Sequence, residues 1–82
     1  MSVLDGNALG GLLIDVFGAD LTLAVTVCGG CGASGPVAEL AVYRDGPGTV
    51  VRCRWCDRVL MVIVRAHGLF SVDLTGLASL DA

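Results

Sequence analysis

The apolar positions of this chain follow two different periods. Leu9, Leu12, Leu13, Val16 and Phe17 recur at helical spacing and predict an amphipathic helix over about residues 5–17. Asp5 stands where an N-cap is expected, Leu4 and Leu9 are placed to staple the entry, and Gly18 is a natural stop. Gly10 and Gly11 inside this stretch cost about 1 kcal/mol each relative to alanine, so the helix needs tertiary support. From Leu21 the period drops to two. Leu21, Leu23, Val25 and Val27 alternate with Thr22, Ala24 and Thr26, predicting a strand half-buried on its Leu/Val face.

The rest of the chain reads as strands separated by turn signals. After Gly35-Pro36, Val37–Arg44 is a strand whose Leu40 and Val42 face away from Glu39, Ala41 and Tyr43. Asp45-Gly46-Pro47-Gly48 is a turn, and Thr49–Arg52 returns from it. Val59–Val64 is apolar on both faces, as in a central strand covered on both sides, with the helix on one of them. Ala66-His67-Gly68 turns into a last strand, Leu69–Leu74, with Phe70, Val72 and Leu74 inward; residues 77–82 are a short tail.

Length and composition narrow the classes. Eighty-two residues make a single domain, 1–82, whose core alone rarely yields more than about 3–5 kcal/mol. The chain is 55% hydrophobic yet only 5% aromatic, and no apolar run is long enough to span a bilayer. Its start, Met1-Ser2-Val3-Leu4-Asp5, carries no basic segment of a secretory signal, so a cytoplasmic protein is expected. The formal charge is −3; four thiolates (−4) and one divalent ion (+2) would take it to −5. Such a module gains little from counterion release, so nucleic acid is a weaker expectation than protein. All five cations are arginines of the middle third: Arg44, Arg52, Arg54, Arg58 and Arg65.

The chemistry lies in the cysteines. Cys28-Gly29-Gly30-Cys31 and Cys53-Arg54-Trp55-Cys56 contain all four, separated by the 21 residues of 32–52. That is at the edge of the spacing, roughly 15–20 residues between two C-x-x-C pairs, of a tetrahedral four-thiolate site. Each pair needs a tight turn whose exit residue tolerates the left-handed region. Gly32 supplies it in the first turn and Asp57 holds the equivalent place in the second. A structural Zn²⁺ on Cys28, Cys31, Cys53 and Cys56 is the leading expectation, with iron in the same cage as the alternative. Disulfides want an oxidising compartment, and a redox dithiol would leave the second copy unexplained.

Two such turns, each joined to its flanking strands, resemble the zinc-ribbon (rubredoxin-like) group from about Thr26 to Leu74. The expected fold is therefore small α+β: an N-terminal helix plus an antiparallel β zinc ribbon over about residues 21–75, with two Cys-x-x-Cys knuckles. A second resemblance covers the whole chain. Leu4-Asp5-Gly6-Asn7-Ala8-Leu9, Val16-Phe17-Gly18, C-x-x-C-G, Val42-Tyr43, Pro47-Gly48 and Val72-Asp73-Leu74-x-Gly76, in that order, resemble a family of small uncharacterised actinobacterial proteins known only as a domain of unknown function. That resemblance implies a soluble bacterial protein and no particular activity.

No catalytic set emerges, because four cysteines close the coordination sphere and hydrolytic zinc needs an open position. A non-enzymatic interaction module is the expectation, with a protein partner and self-association as a further one; a rubredoxin-like iron electron carrier and a weak nucleic-acid-binding module are the alternatives. Arg54 and Trp55 should sit at the tip of the second knuckle, flanked by Arg52 and Arg58. Trp55 shields the sulfurs while the arginines offset their charge, or the group forms a binding surface, and the two readings are compatible. His67, the only histidine, reads as a solvent-facing turn residue.

Overall fold

A computed structural model describes residues 3–81 of the chain. The chain opens with a short strand β1 (Val3–Asp5), a 3-10 turn over Gly6–Leu9 and one helix α1 (Gly10–Phe17). Seven strands follow: β2 (Val25–Cys28), β3 (Ser34–Pro36), β4 (Ala41–Asp45), β5 (Gly48–Arg52), β6 (Val59–Ala66), β7 (Leu69–Asp73) and β8 (Leu77–Asp81). They form two antiparallel sheets, of order β1-β4-β5-β6-β7 and β3-β2-β8. One helix with antiparallel sheets is the small α+β class that the patterning predicts.

The helix starts later than residue 5. Asp5 is paired with Ala41 in β1, and the residue before α1 is Leu9, in αR, with no side-chain cap. Pairing to β4 takes the first residues into a sheet, and only then can Leu9 and Leu13 bury against the core. The side chains of Leu4 and Asp5, expected to staple and cap the helix, lie outside the described residues. Gly18 does end the helix: it is left-handed (φ 78°), and its N–H donates to the Ile14 carbonyl at 2.8 Å.

A second correction concerns the segment before Cys28. Only Val25–Cys28 is strand, and its buried side chains are Thr26 and Cys28, continuing from Ala24; Leu23 is 83% exposed and Val25 47%. Leu23 and Val25 thus point outward, while Leu21 and Val27 are half-buried. Cys28 has to aim at the other cysteines, and strand alternation carries Thr26 and Ala24 inward with it. The Thr26 hydroxyl is satisfied there, donating to the Gly35 carbonyl at 3.0 Å.

A third correction is the end of the chain. Residues 77–81 are not a tail but strand β8, whose Val27↔Ser79 and Thr26↔Leu80 pairs bind it to β2. Val37–Glu39 is a 3-10 turn, so β4 begins later than residue 37. The hairpin turns at Gly46-Pro47 and His67-Gly68 fall where expected, with Gly46, His67 and Gly68 all at positive φ.

The core is aliphatic. Leu9, Leu13, Val37, Val42, Val51, Leu60, Met61 and Ile63 are almost wholly buried, and Cys28 and Cys53 belong to the same cluster. β6 is internal to its sheet, but its cover is unequal. Leu60, Met61 and Ile63 are buried, whereas Val62 and Val64 are only half-buried. A bulge leaves Leu60 without a partner between Arg52↔Val59 and Val51↔Met61, and Leu60 lines a cleft beside Cys28 and Cys53. On β7, Phe70 is half-buried, as is Leu74 just beyond it, while Val72 is 37% exposed because this is an edge strand.

Candidate metal centre

Each C-x-x-C pair sits in the turn of a β-hairpin. β2 delivers Cys28 and β3 leaves the first turn; β5 delivers Cys53 and β6 leaves the second. The two turns are built alike. Gly32 N–H donates to the Cys28 carbonyl at 3.1 Å, and Asp57 N–H donates to the Cys53 carbonyl at 3.0 Å. Gly32 (φ 76°) and Asp57 (φ 64°) are both left-handed, as their matching positions lead one to expect. Replacing Asp57 by a β-branched residue forbids that conformation at a cost of about 1–2 kcal/mol. Asp57→Val is therefore expected to lower the melting temperature by roughly 5–15 °C, and Asp57→Gly should not, as a thermal melt will show.

The two hairpins bring all four sulfurs together. The Cys28, Cys31, Cys53 and Cys56 Sγ atoms lie within 4.8 Å of one another. Cys28 meets Cys56 at 3.6 Å, and Cys31 meets Cys53 at 3.7 Å. Ligands at about 2.3 Å from a tetrahedral ion stand about 3.8 Å apart, so the cluster has the right size for one. Cys28 and Cys53 are buried; Cys31 and Cys56 are exposed. No disulfide forms among them.

Backbone N–H groups turn inward to the sulfurs. Gly30 and Cys31 donate to Cys28 Sγ at 3.3 and 3.5 Å, and Trp55 donates to Cys53 Sγ at 3.4 Å. The Cys31 N–H is the main reason the Cys28 thiol is held down to about 6; burial opposes it and the Gly30 N–H adds to it. Cys31 moves the other way. The Ala33 N–H pulls it down, but burial and the sulfurs of Cys53, Cys56 and Cys28 together push it up to about 11. Four thiols this close cannot all ionise without a counter-cation, and the chain supplies no lysine or histidine inside the cluster. A metal ion would supply that counter-charge, and the four cysteines are positioned to hold one.

The flanking residues separate into two kinds. Arg52 is tied down: it donates to the Asp57 carbonyl at 3.0 Å, pairs with the Asp57 carboxylate at 3.6 Å and lies over the Tyr43 ring. Arg58 runs past Gly30, and its Nε reaches the Gly76 carbonyl at 3.4 Å. Trp55 is 72% exposed, which removes the reading in which it shields the sulfurs. A side chain left that open in a turn cannot exclude water from a site beneath it. Arg54 stacks on it at 5.6 Å and approaches Glu39 at 3.9 Å, a weak exposed pair. His67 is exposed in its hairpin turn and stands outside the cysteine group.

Sequence reasoning missed Gly76, which closes the site from behind. Its carbonyl accepts the Gly29 N–H at 2.9 Å, and a Cβ on it would lie 1.9 Å from the Val59 carbonyl oxygen. In the sequence Gly76 stands out only as the last residue of the Val72-Asp73-Leu74-x-Gly76 motif.

No curated protein and no solved structure matches this chain. Nor does a zinc-ribbon family model; the match is to another family, and it spans residues 1–82. Matched over its whole length, the chain belongs to the family of unknown function DUF6510.

Proposed function

We propose that this chain is a small zinc-ribbon protein in which a structural Zn²⁺ on Cys28, Cys31, Cys53 and Cys56 rigidifies a tip that docks on another protein. The observation that carries this is the cluster itself: four sulfurs within 4.8 Å, delivered by two hairpins of matching geometry. Four thiolates leave no open position for water or substrate, which supports a structural and non-enzymatic role. Zinc is favoured over iron because the buried core contains no aromatic side chain among the described residues, unlike the aromatic-rich interior that a rubredoxin resemblance implies. The unbridged cysteines suit a reducing compartment, and we assign the cytoplasm. Among the described residues no helix is long and apolar enough to cross a membrane.

Trp55 with Arg54 supports a docking role, since an exposed aromatic paired with arginine is the composition of interface hot spots. Protein is favoured over nucleic acid because the arginines form no stripe. Arg44 donates to the Ala8 carbonyl, Arg65 lies over Phe70, and Arg52 and Arg58 are engaged at the knuckles. Native mass spectrometry with metal analysis tests the first half: one zinc per chain is expected, and iron or an empty cluster overturns it. For the second half, Arg54→Ala/Trp55→Ala should retain the metal and the melting temperature while losing a purified partner's binding. Unchanged affinity would remove the tip as the interface.

A further inference from the structure

An open sheet ends in strands whose outer backbone groups are unpaired, and the described residues have four such ends: β1 and β7 in one sheet, β3 and β8 in the other. Three of them are blunted. β1 and β3 are only three residues long, and β3 ends in Pro36. β8 is bulged at Ala78, which has no partner between Val27↔Ser79 and Cys28↔Leu77. β7 has none of these protections. It runs for five residues beside β6 without a shift in register, and it contains no cation and no proline. Its one charge, Asp73, is turned back on its own chain, where Oδ1 accepts from the Thr75 N–H at 2.9 Å and from the Thr75 hydroxyl at 2.7 Å. Leu69 is 74% exposed and Val72 37%.

The ladder decides which backbone groups of β7 are free. The two-residue turn at His67-Gly68 closes on a hydrogen-bonded pair, Ala66↔Leu69, and such pairs recur at every second position. The Arg65 N–H agrees with that parity, since it points the other way, to the Pro47 carbonyl at 3.0 Å. Leu69, Ser71 and Asp73 therefore bond to β6, and the N–H and C=O groups of Phe70 and Val72 face the open edge. We infer that β7 pairs antiparallel with β7 of a second copy about a two-fold axis at Ser71, joining two five-stranded sheets into one. This register overlaps the whole strand and uses the free groups of Phe70 and Val72 on both copies. It sets Phe70 of each copy opposite Val72 of the other, a favourable aromatic and β-branched pair made twice. It also keeps like charges apart: the two Asp73 residues fall at opposite ends, about 14 Å apart along the strands and beyond the screening length of about 8 Å. Moving the axis to Val72 would bring them to about 7 Å. The match is complete within one segment, which favours a second copy over a foreign strand. A single strand pair is small beside the roughly 1,200–2,000 Å² of a standard interface, so the dimer forms and dissociates with concentration.

Sedimentation velocity of the full chain over a wide range of concentration tests this, with amide hydrogen exchange read residue by residue in dilute and concentrated samples. A reversible monomer–dimer equilibrium is expected. On dimerisation the Phe70 and Val72 amides should slow severalfold, while those of Leu69, Ser71 and Asp73, already bonded to β6, change less. Ser71 is exposed, so Ser71→Lys should keep the melting temperature of the dilute parent. It places two cations face to face across the axis and should raise the dissociation constant severalfold; Ser71→Thr, which leaves the edge uncharged, should not. A chain that stays monomeric throughout leaves this edge to a strand of another protein and overturns the inference. So does a dimer indifferent to Ser71→Lys, or one in which the Phe70 and Val72 amides exchange as in the monomer.

Discussion

Under the proposed zinc site, treatment with a strong chelator under reducing conditions is expected to abolish the cooperative thermal transition altogether. The comparison of magnitudes leaves little room. A core of this size supplies about 3–5 kcal/mol, whereas structural zinc contributes about 10–16 kcal/mol in small peptides. The structure adds a reason peculiar to this chain. Cys28 and Cys53 belong to the same buried cluster as Leu40, Leu60 and Ala24, so an ion held there would tie the two sheets together from inside. Release would leave mutually repelling thiolates at the junction of both hairpins. Cys53→Ser should behave as the chelated protein does. Calorimetry and far-ultraviolet circular dichroism read the result. A sharp transition that survives chelation within a few degrees, with metal analysis showing an empty site, would end the structural-zinc account.

The second large effect is expected at Gly76. A methyl group there would meet the Val59 carbonyl oxygen at 1.9 Å and the Leu60 Cα at 2.7 Å. Both are backbone atoms of β6, which is held between β5 and β7 and cannot yield cheaply. The loop before β8 must therefore lift. That breaks the hydrogen bond from Gly29 in the first knuckle and the contact from Arg58 in the second, and it loosens β8 from β2. A loss of roughly 3–5 kcal/mol follows from overpacking plus these bonds, or roughly 12–40 °C in melting temperature. Weaker zinc retention against a competing chelator should accompany it. Gly11→Ala is the matched control: it lies in α1 with open space around its Cβ and should stabilise by up to about 1 kcal/mol. A Gly76→Ala protein that melts with the parent would mean that this backbone contact is not tight in solution.

What the chain determined by itself was local. Two cysteine pairs at two-residue spacing, each followed by Gly32 or Asp57, are enough to set two tight turns with left-handed exits, because that requirement is met within five residues. The turns at Gly46-Pro47 and His67-Gly68 and the strands beside them were legible for the same reason. Which face of β2 is buried was not legible from hydropathy. Leu23 and Val25 outrank Thr26 as apolar side chains, yet the direction of Cys28 decides the parity, and the Gly35 carbonyl makes Thr26 tolerable inside. Strand β8 also had no pattern of its own: Leu77 and Leu80 do not alternate, and only the free edge of β2 makes that segment extended. The helix start was decided by β1 pairing with β4, which outcompetes a cap at Asp5. Turns depend on φ, ψ and neighbours, so sequence fixes them early. Sheet edges and buried faces depend on which other surfaces arrive, and that is settled only when the whole chain closes around its four sulfurs.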